Sequence, residues 1–361
     1  MNLVESFSVD YREARSKFLT AAELASAHLE SVSHPELGPD GQELFSDVAW
    51  LGPSDAQRVL VLISGTHGVE GFCGSGAQVA LLRSISTSPL PTGVAVLLIH
   101  AINPYGFAWL RRVTHENVDL NRNWLDFSAP IAQNLGYNEL HAALCPVVWS
   151  EQSVSEGSVA VAAYASREGV AAQLKAVSGG QYSHPTGVMY GGAEPTWSRL
   201  TQTTIFEHYL RTASKIAIID YHTGLGPWGY GERIVTAPTE SEEFVRATAW
   251  FGGGVTSTSD GSSSSSVING DGLSAATRLL CHAEVTGVAL EFGTQTMDKV
   301  LLAICADCWL HRYGDHSTQI GQSIKQQIRN AFYGDTDEWK GMVLGQSYLA
   351  CRQAISGLLS R

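Results

Sequence analysis

Four short runs of consecutive apolar residues punctuate the chain: Val59–Ile63, Val94–Ile99, Ile216–Ile219 and, more weakly, Val285–Leu290 with Thr286 and Gly287 inside it. Uninterrupted apolar runs of this length predict strands buried on both faces, as in a sheet sandwiched between helices. Helical spacing of apolar positions predicts a leading amphipathic helix over 11–31, with Asp10 as its N-cap, and further helices near 72–84, 152–178, 194–213, 240–251 and 272–283. Three more helices are predicted after residue 296. Strands alternating with helices give the expected class: α/β, with a mixed, mostly parallel central sheet flanked by helices on both faces. No repeat or linker divides the chain, so one domain over 1–361 is expected. Residues 1–45 form an N-terminal helical lead-in in this reading, and 296–361 form C-terminal helices packing on the sheet.

Composition narrows the function classes. Of 361 residues, 44% are hydrophobic and 16% charged, and the net charge is −12. That hydrophobic share supports a large core, and an acidic chain whose densest basic feature is the Arg111-Arg112 pair lacks the footprint that phosphate backbones require. Nucleic acid and anionic membranes are therefore not expected partners. Residues 1–18 carry no apolar signal-peptide core, and no apolar run reaches the roughly 18 residues of a membrane span. Six scattered cysteines fit a reducing, cytoplasmic location. Cys305 and Cys308 form a C-x-x-C without a second pair, amid residues that read as a buried helix. Thr256 to Ser266, ending in five consecutive serines, reads as a flexible surface loop placed where it could act as a lid.

Each apolar run ends in polar residues of catalytic type, and open α/β sheets bind ligands at the carboxyl ends of their strands. After the first run comes Gly65-Thr66-His67-Gly68-Val69-Glu70-Gly71, with imidazole and carboxylate three residues apart. Such a pair plus one further ligand leaves a coordination position of a catalytic zinc open, although H-x-x-E alone is a weak signal. After the third run, His222 offers the missing imidazole. After the fourth, Glu291 sits between apolar neighbours, where a carboxylate is costly to bury unless it is paired or used; general-base work is one such use. The second run leads through Asn103-Pro104-Tyr105-Gly106 to Arg111, Arg112 and the segment Asp119-Leu120-Asn121-Arg122-Asn123-Trp124, which offers arginines suited to clamping a carboxylate.

Together, His67, Glu70, Arg112, Asn121, Arg122, His222 and Glu291 resemble, in order and spacing, the M14 metallocarboxypeptidase family and its succinylglutamate desuccinylase and aspartoacylase relatives. The segments H-G-V-E-G-F and D-Y-H-T-G resemble most closely the bacterial DUF2817-like branch. The resemblance implies a zinc carboxypeptidase-like fold and one Zn2+ per chain held by His67, Glu70 and His222. It implies Asp119 orienting the first histidine, and Asn121 with Arg122 gripping a substrate's free carboxylate. It also implies Arg112 polarising the scissile carbonyl, with Arg111 as an adjacent alternative, and Glu291 as general base.

The implied activity is hydrolysis of an amide bond, peptide or N-acyl, next to a carboxylate-bearing group. The alternatives are a deacylase of N-acyl amino acids and a non-catalytic zinc-site binder of peptides or amino acids. The sequence departs from the carboxypeptidases in one respect. They use a mobile tyrosine before the catalytic glutamate, whereas the one tyrosine between His222 and Glu291 is Tyr230, close to His222. Gly224 to Gly229 satisfies G-x-G-x-x-G after a strand, but no helical pattern follows, so it is read as a decoy. No G-x-S-x-G elbow is present, and His115, His184 and His282 read as structural. Substrate identity and oligomeric state are left open.

Overall fold

The computed structural model describes residues 3–85 and 87–360; the remaining positions of the expected 1–361 span lie outside the described residues. The strands are β1 (His28–Leu37), β2 (Glu43–Leu51), β3 (Arg58–Ile63), β4 (Val94–His100), β5 (Lys215–Trp228), β6 (Gly231–Val235), β7 (Val255–Ser257) and β8 (Glu284–Gly293). They form one eight-stranded sheet in the order β1-β2-β4-β3-β5-β8-β6-β7. Its centre, β4-β3-β5-β8, is parallel, while β1, β2 and the β6–β8 pairing supply the antiparallel edges.

Twelve helices are described: α1 (Tyr11–Leu24), α2 (Gly71–Ile85), α3 (Pro104–Ala108), α4 (Leu135–Leu144), α5 (Glu151–Glu168), α6 (Val170–Ser178), α7 (Trp197–Tyr209), α8 (Glu242–Phe251), α9 (Gly272–Leu279), α10 (Met297–Tyr313), α11 (Gln319–Phe332) and α12 (Asp337–Leu359). Both sheet faces are covered, which is why the central strands read as unbroken apolar runs. Leu60, Leu62, Ala217 and Ile219 pack in one core cluster, with α1, α2 and α12. Their alternating neighbours Val59, Val61, Ile216 and Ile218 pack in the other, with α7 and α9.

The lead-in differs from its expectation. Only α1 is helical within 7–45, and it ends at Leu24. Residues 28–37 instead form the edge strand β1, mostly exposed and paired with β2. Its sparse apolar positions, Leu29 and Val32, are three apart as on a helix, and the pairing with β2 overrides that spacing. The predicted helix over 152–178 is two helices, broken at Gly169, whose φ of 92° belongs to the left-handed region. The C-x-x-C lies on α10 with both cysteines buried. Gly224 to Gly229 runs along the end of β5 and beyond, and no helix opens there. No helix among the described residues is long and apolar enough to cross a membrane.

Candidate metal centre and substrate cleft

Strand alternation sets up the site. Along β5, Ile216, Ile218, Asp220 and His222 point to one face, so the strand carries its core residues straight into polar ones. β5 does not stop at Asp220, as the end of the apolar run suggested, but continues past His222 because β8 pairs with it throughout; His222 stands opposite Glu291 in that register. Both side chains therefore project from rigid strands onto one face.

His67 and Glu70 come from the turn between β3 and α2. Gly65 (φ 70°) breaks the strand, and His67 caps a single 3-10 turn, Gly68–Glu70. Residues three apart eclipse in that geometry, which sets the Glu70 carboxylate over the imidazole. The turn is pressed onto the next segment by two bonds, in which the Gly68 and Val69 N–H groups donate to the Arg112 and Arg111 carbonyls at 3.1 and 2.8 Å. A Cβ on Gly68 would lie 2.1 Å from the Gly106 carbonyl carbon, so this position admits only glycine.

His67, Glu70 and His222 each present one ligand atom within 4.8 Å of the others, all buried. His67 Nδ1 lies 2.9 Å from Glu70 Oε1 and His222 Nδ1 lies 3.3 Å from Oε2. The two Nδ1 atoms are 3.2 Å apart. The outer nitrogens are both engaged by carboxylates: His67 Nε2 at 3.0 Å from Asp119 Oδ1, and His222 Nε2 at 2.9 Å from Asp220 Oδ2. A carboxylate accepts, so each Nε2 carries a proton, and in the neutral imidazoles both Nδ1 lone pairs then face each other and the Glu70 carboxylate. Such a set needs positive charge between its members, supplied by a proton on one Nδ1 or by a bound cation, and two imidazoles with one carboxylate suit zinc.

Charge pervades the cluster. Glu70 is held well below the usual carboxylate range: burial opposes this, but His67, His222 and Arg112 outweigh it. His222 is pushed well above the ordinary imidazole value by Asp220 and Glu70, again against burial. Glu291 moves the other way, up to about 7, through burial and the negative charge of Glu70. Its Oε1 accepts from the Leu225 N–H at 3.0 Å.

The structure separates the adjacent arginines. Arg112 turns toward the cluster, with Nη1 2.7 Å from Glu70 Oε1 and Nε 3.2 Å from Asp119 Oδ2. Arg111 turns away, bonding Asp307 on α10 at 3.1 Å and Asn117 at 3.0 Å. Asp119 caps the turn Leu120–Arg122, which places Asn121 and Arg122 on the cleft. Arg122 is buried, and its donors reach the Ser178 carbonyl (3.2 and 2.6 Å) and the Asn121 carbonyl (3.0 Å), leaving two N–H groups unassigned. His67, His222, Arg112, Asn121, Arg122 and Glu291 all line one cleft of about 210 Å3.

Two features escaped the sequence reading. Asp220 supports His222 as Asp119 supports His67, and it also accepts from Thr66 Oγ1 at 2.8 Å; the signal was the two-residue spacing in D-Y-H, which puts both side chains on one face of a strand. The serine-rich stretch is not a detached loop. Buried Glu232 on β6 accepts from Thr256 Oγ1 (2.6 Å), the Ser264 N–H (3.0 Å) and Ser264 Oγ, Ser266 meets Ser178 at 2.8 Å, and Ser264 to Ser266 form a wall of the cleft. Tyr230 is 43% exposed and is not among the residues lining the cleft.

The sequence matches, over residues 7–346, the family described as "Protein of unknown function (DUF2817)". No curated protein matches in sequence. Among solved structures, bovine thrombin-activatable fibrinolysis inhibitor, determined in complex with tick carboxypeptidase inhibitor, is similar with a TM-score of 0.52 at 10% identity, covering 99% of this chain and 98% of that one. Carboxypeptidase A from Helicoverpa armigera gives 0.48 at 11% identity, over 91% and 75% of the two chains. Succinylglutamate desuccinylase from Chromobacterium violaceum gives 0.36 at 13% identity, over 88% and 73%. The first of these shows a shared, carboxypeptidase-like fold.

Proposed function

Since the chain belongs to the DUF2817 family and has a carboxypeptidase-like fold, we propose that it is a zinc-dependent hydrolase that cleaves an amide bond next to a carboxylate-bearing group. The observation that carries this reading is the convergence of three buried ligand atoms, from His67, Glu70 and His222, in a cleft that also holds Arg112, Arg122 and Glu291. A zinc ion held by the three ligands would polarise the carbonyl and acidify water. The protein's own groups divide the remaining work.

Arg122 and Asn121 bind the substrate's free carboxylate, which fixes the amide in the cleft. Arg112, preplaced by Glu70 and Asp119, donates to the carbonyl oxygen as negative charge develops there, the moment at which a fixed donor is worth most. Glu291 accepts the proton of the attacking water and hands it to the leaving nitrogen; a carboxylate with a pKa near neutrality is suited to both transfers. Asp119 and Asp220 hold the Nε2 protons of the two histidines, keeping both Nδ1 atoms free to bind metal. The retained base, unnecessary in a mere binder, favours catalysis over a non-catalytic site. The substrate in this reading is a small peptide or an N-acyl amino acid, and the six free cysteines fit a reducing, cytoplasmic setting.

The test is metal analysis of the purified protein combined with chelator-sensitive release of amino acid from a panel of peptides and N-acyl amino acids. One zinc per chain with release that stops on chelation supports the reading. Zinc without turnover of any member would leave a binder, and absence of stoichiometric zinc binding would remove its foundation.

A further inference from the structure

The cleft has two unlike walls. Around Arg122 it mixes polar and apolar groups: Ser178 and Ser266 bond to each other, and Asn121, Asp271, Leu174 and Val177 also line the cleft. Near Arg112 it is apolar. Met189, Val300, Leu301, Ile304 and Phe332 line the cleft, and all belong to one hydrophobic cluster that also contains Val69, the residue between Gly68 and Glu70. This cluster is therefore an opening of the core onto the metal centre.

Its relation to the reacting bond follows from what it touches. The Phe332 ring lies 5.9 Å from the Arg112 guanidinium carbon, and a Cβ placed on Gly224 would be 3.1 Å from that ring and 3.8 Å from Glu291 Oε1. Met189 and Ile304 line a small void together with Arg112. Met189 does so with a φ of 56°, a left-handed backbone rare for a residue with a side chain and most often kept where a site requires it. With the carboxylate half of the substrate at Arg122 and the carbonyl oxygen at Arg112, the substituent on the acyl side of the carbonyl meets this apolar wall. An anionic acyl group there would lose its hydration and face Asp298, which lines the cleft from the same helix, while Arg112 is already paired with Glu70 and Asp119.

Resting on the function proposed above, we infer that the acyl half of the substrate is aliphatic: either a hydrocarbon acyl chain of several carbons or an apolar residue preceding the cleaved bond. Both sources share the chemistry that the wall recognises, an apolar group burying its methylenes against α10 and Phe332. Each methylene buried there should tighten binding about fourfold, the ratio that corresponds to removing one CH2 from water.

The test separates this inference from the function on which it rests. Binding is read by calorimetry on zinc-loaded Glu291→Gln protein and, independently, on metal-free wild type, with acetyl-, butyryl-, hexanoyl- and succinyl-L-serine and the peptide acetyl-Leu-Ser. The expected result is a Kd falling by up to about 250-fold from acetyl to hexanoyl, four methylenes at about fourfold each, with succinyl weaker than butyryl, and a smaller chain-length slope in Leu301→Gln, whose side chain is only half-buried. Relative affinity of hexanoyl-serine and acetyl-Leu-Ser distinguishes a hydrocarbon chain from a peptide. A Kd independent of chain length, or tighter binding of the succinyl compound, overturns the inference even if zinc-loaded wild type hydrolyses the series. Hydrolysis of none of them would count instead against the proposed function, and the binding slope would still decide the apolar wall.

Discussion

Replacing Asp220 by Asn should weaken zinc binding by about 10- to 100-fold, or roughly 1.4–2.7 kcal/mol, without unfolding the protein. The range follows from how the new amide can lie. Asp220 now accepts from His222 Nε2 at 2.9 Å and from Thr66 Oγ1 at 2.8 Å. If the amide oxygen faces His222, its NH2 group faces the Thr66 hydroxyl, which can accept, and the histidine keeps its Nε2 proton. What is lost is then the negative charge alone, toward the small end of the range. If the NH2 group faces His222 instead, Nε2 must become the acceptor, the proton moves to Nδ1, and the nitrogen that should bind metal is blocked. Thermal melts of the metal-free variant would verify folding, and competition against a chromogenic zinc chelator would read the affinity. Asp119→Asn is the matching variant for His67, although it also weakens the hold on Arg112, which keeps its bond to Glu70. Wild-type zinc affinity in both variants would refute the argument that these carboxylates fix the tautomers, and with it the reading of the Nδ1 pair as metal ligands.

Glu291→Gln should abolish hydrolysis while zinc stays bound, and in the active protein kcat/KM should rise with pH to a plateau whose midpoint lies below 7, because a nearby dication favours the ionised form of a carboxyl otherwise raised to about 7. A variant retaining near-normal turnover would remove Glu291 as the base. The same raised pKa means that the metal-free fold loses stability as pH climbs from the unfolded carboxyl's value through 7, so metal-free Glu291→Gln should melt above wild type at pH 8 and not at pH 4. Arg122→Ala should act mainly by raising KM, on the order of 10- to 100-fold for lost charged hydrogen bonds to a carboxylate; a fall confined to kcat would assign Arg122 a different task. Glu232→Leu leaves the buried donors of Thr256 and Ser264 without their acceptor, at a cost of about 1–3 kcal/mol each. Limited proteolysis should then cut within residues 258–270 first, and unchanged protection would show that the serine stretch does not depend on Glu232.

The central strands and most of the site positions were legible because they follow local rules. A strand buried on both faces reads as an apolar run, and the candidate site lies at its carboxyl end, so His67, His222 and Glu291, which the fold brings together, could be picked out beside β3, β5 and β8. Of the strands that were missed, three are short or on an edge. β7 has three residues, β6 five, and β1 shows its neighbours little apolar surface. β2 contains Ser46 and Asp47, both fully buried, and Asp47 is tolerated there through its bonds to Arg15 and Ser31, which no local pattern announces. The serine stretch was misread for a similar reason. Low complexity predicts a loop, but its order comes from a buried carboxylate on another strand, more than twenty residues away.

The pair Arg111-Arg112 shows where sequence reasoning stops for a physical reason. In a helix or strand, neighbouring side chains diverge by a known angle, so one face can be chosen. This pair lies in an irregular segment, and which arginine faces the His67-Glu70-His222 cluster is decided by the backbone: the carbonyls of both residues bind the Gly68-Val69 turn, fixing the local chain direction, while Asp307 on α10 and Asp119 draw the two guanidiniums apart. Each arginine thus has a buried acid on its own side. The net charge of −12 conceals this arrangement. An acidic chain holds Arg112 and Arg122 against one cleft because Asp119 lies within 4 Å of both, which lets the pocket gather cationic groups at short range without a basic surface.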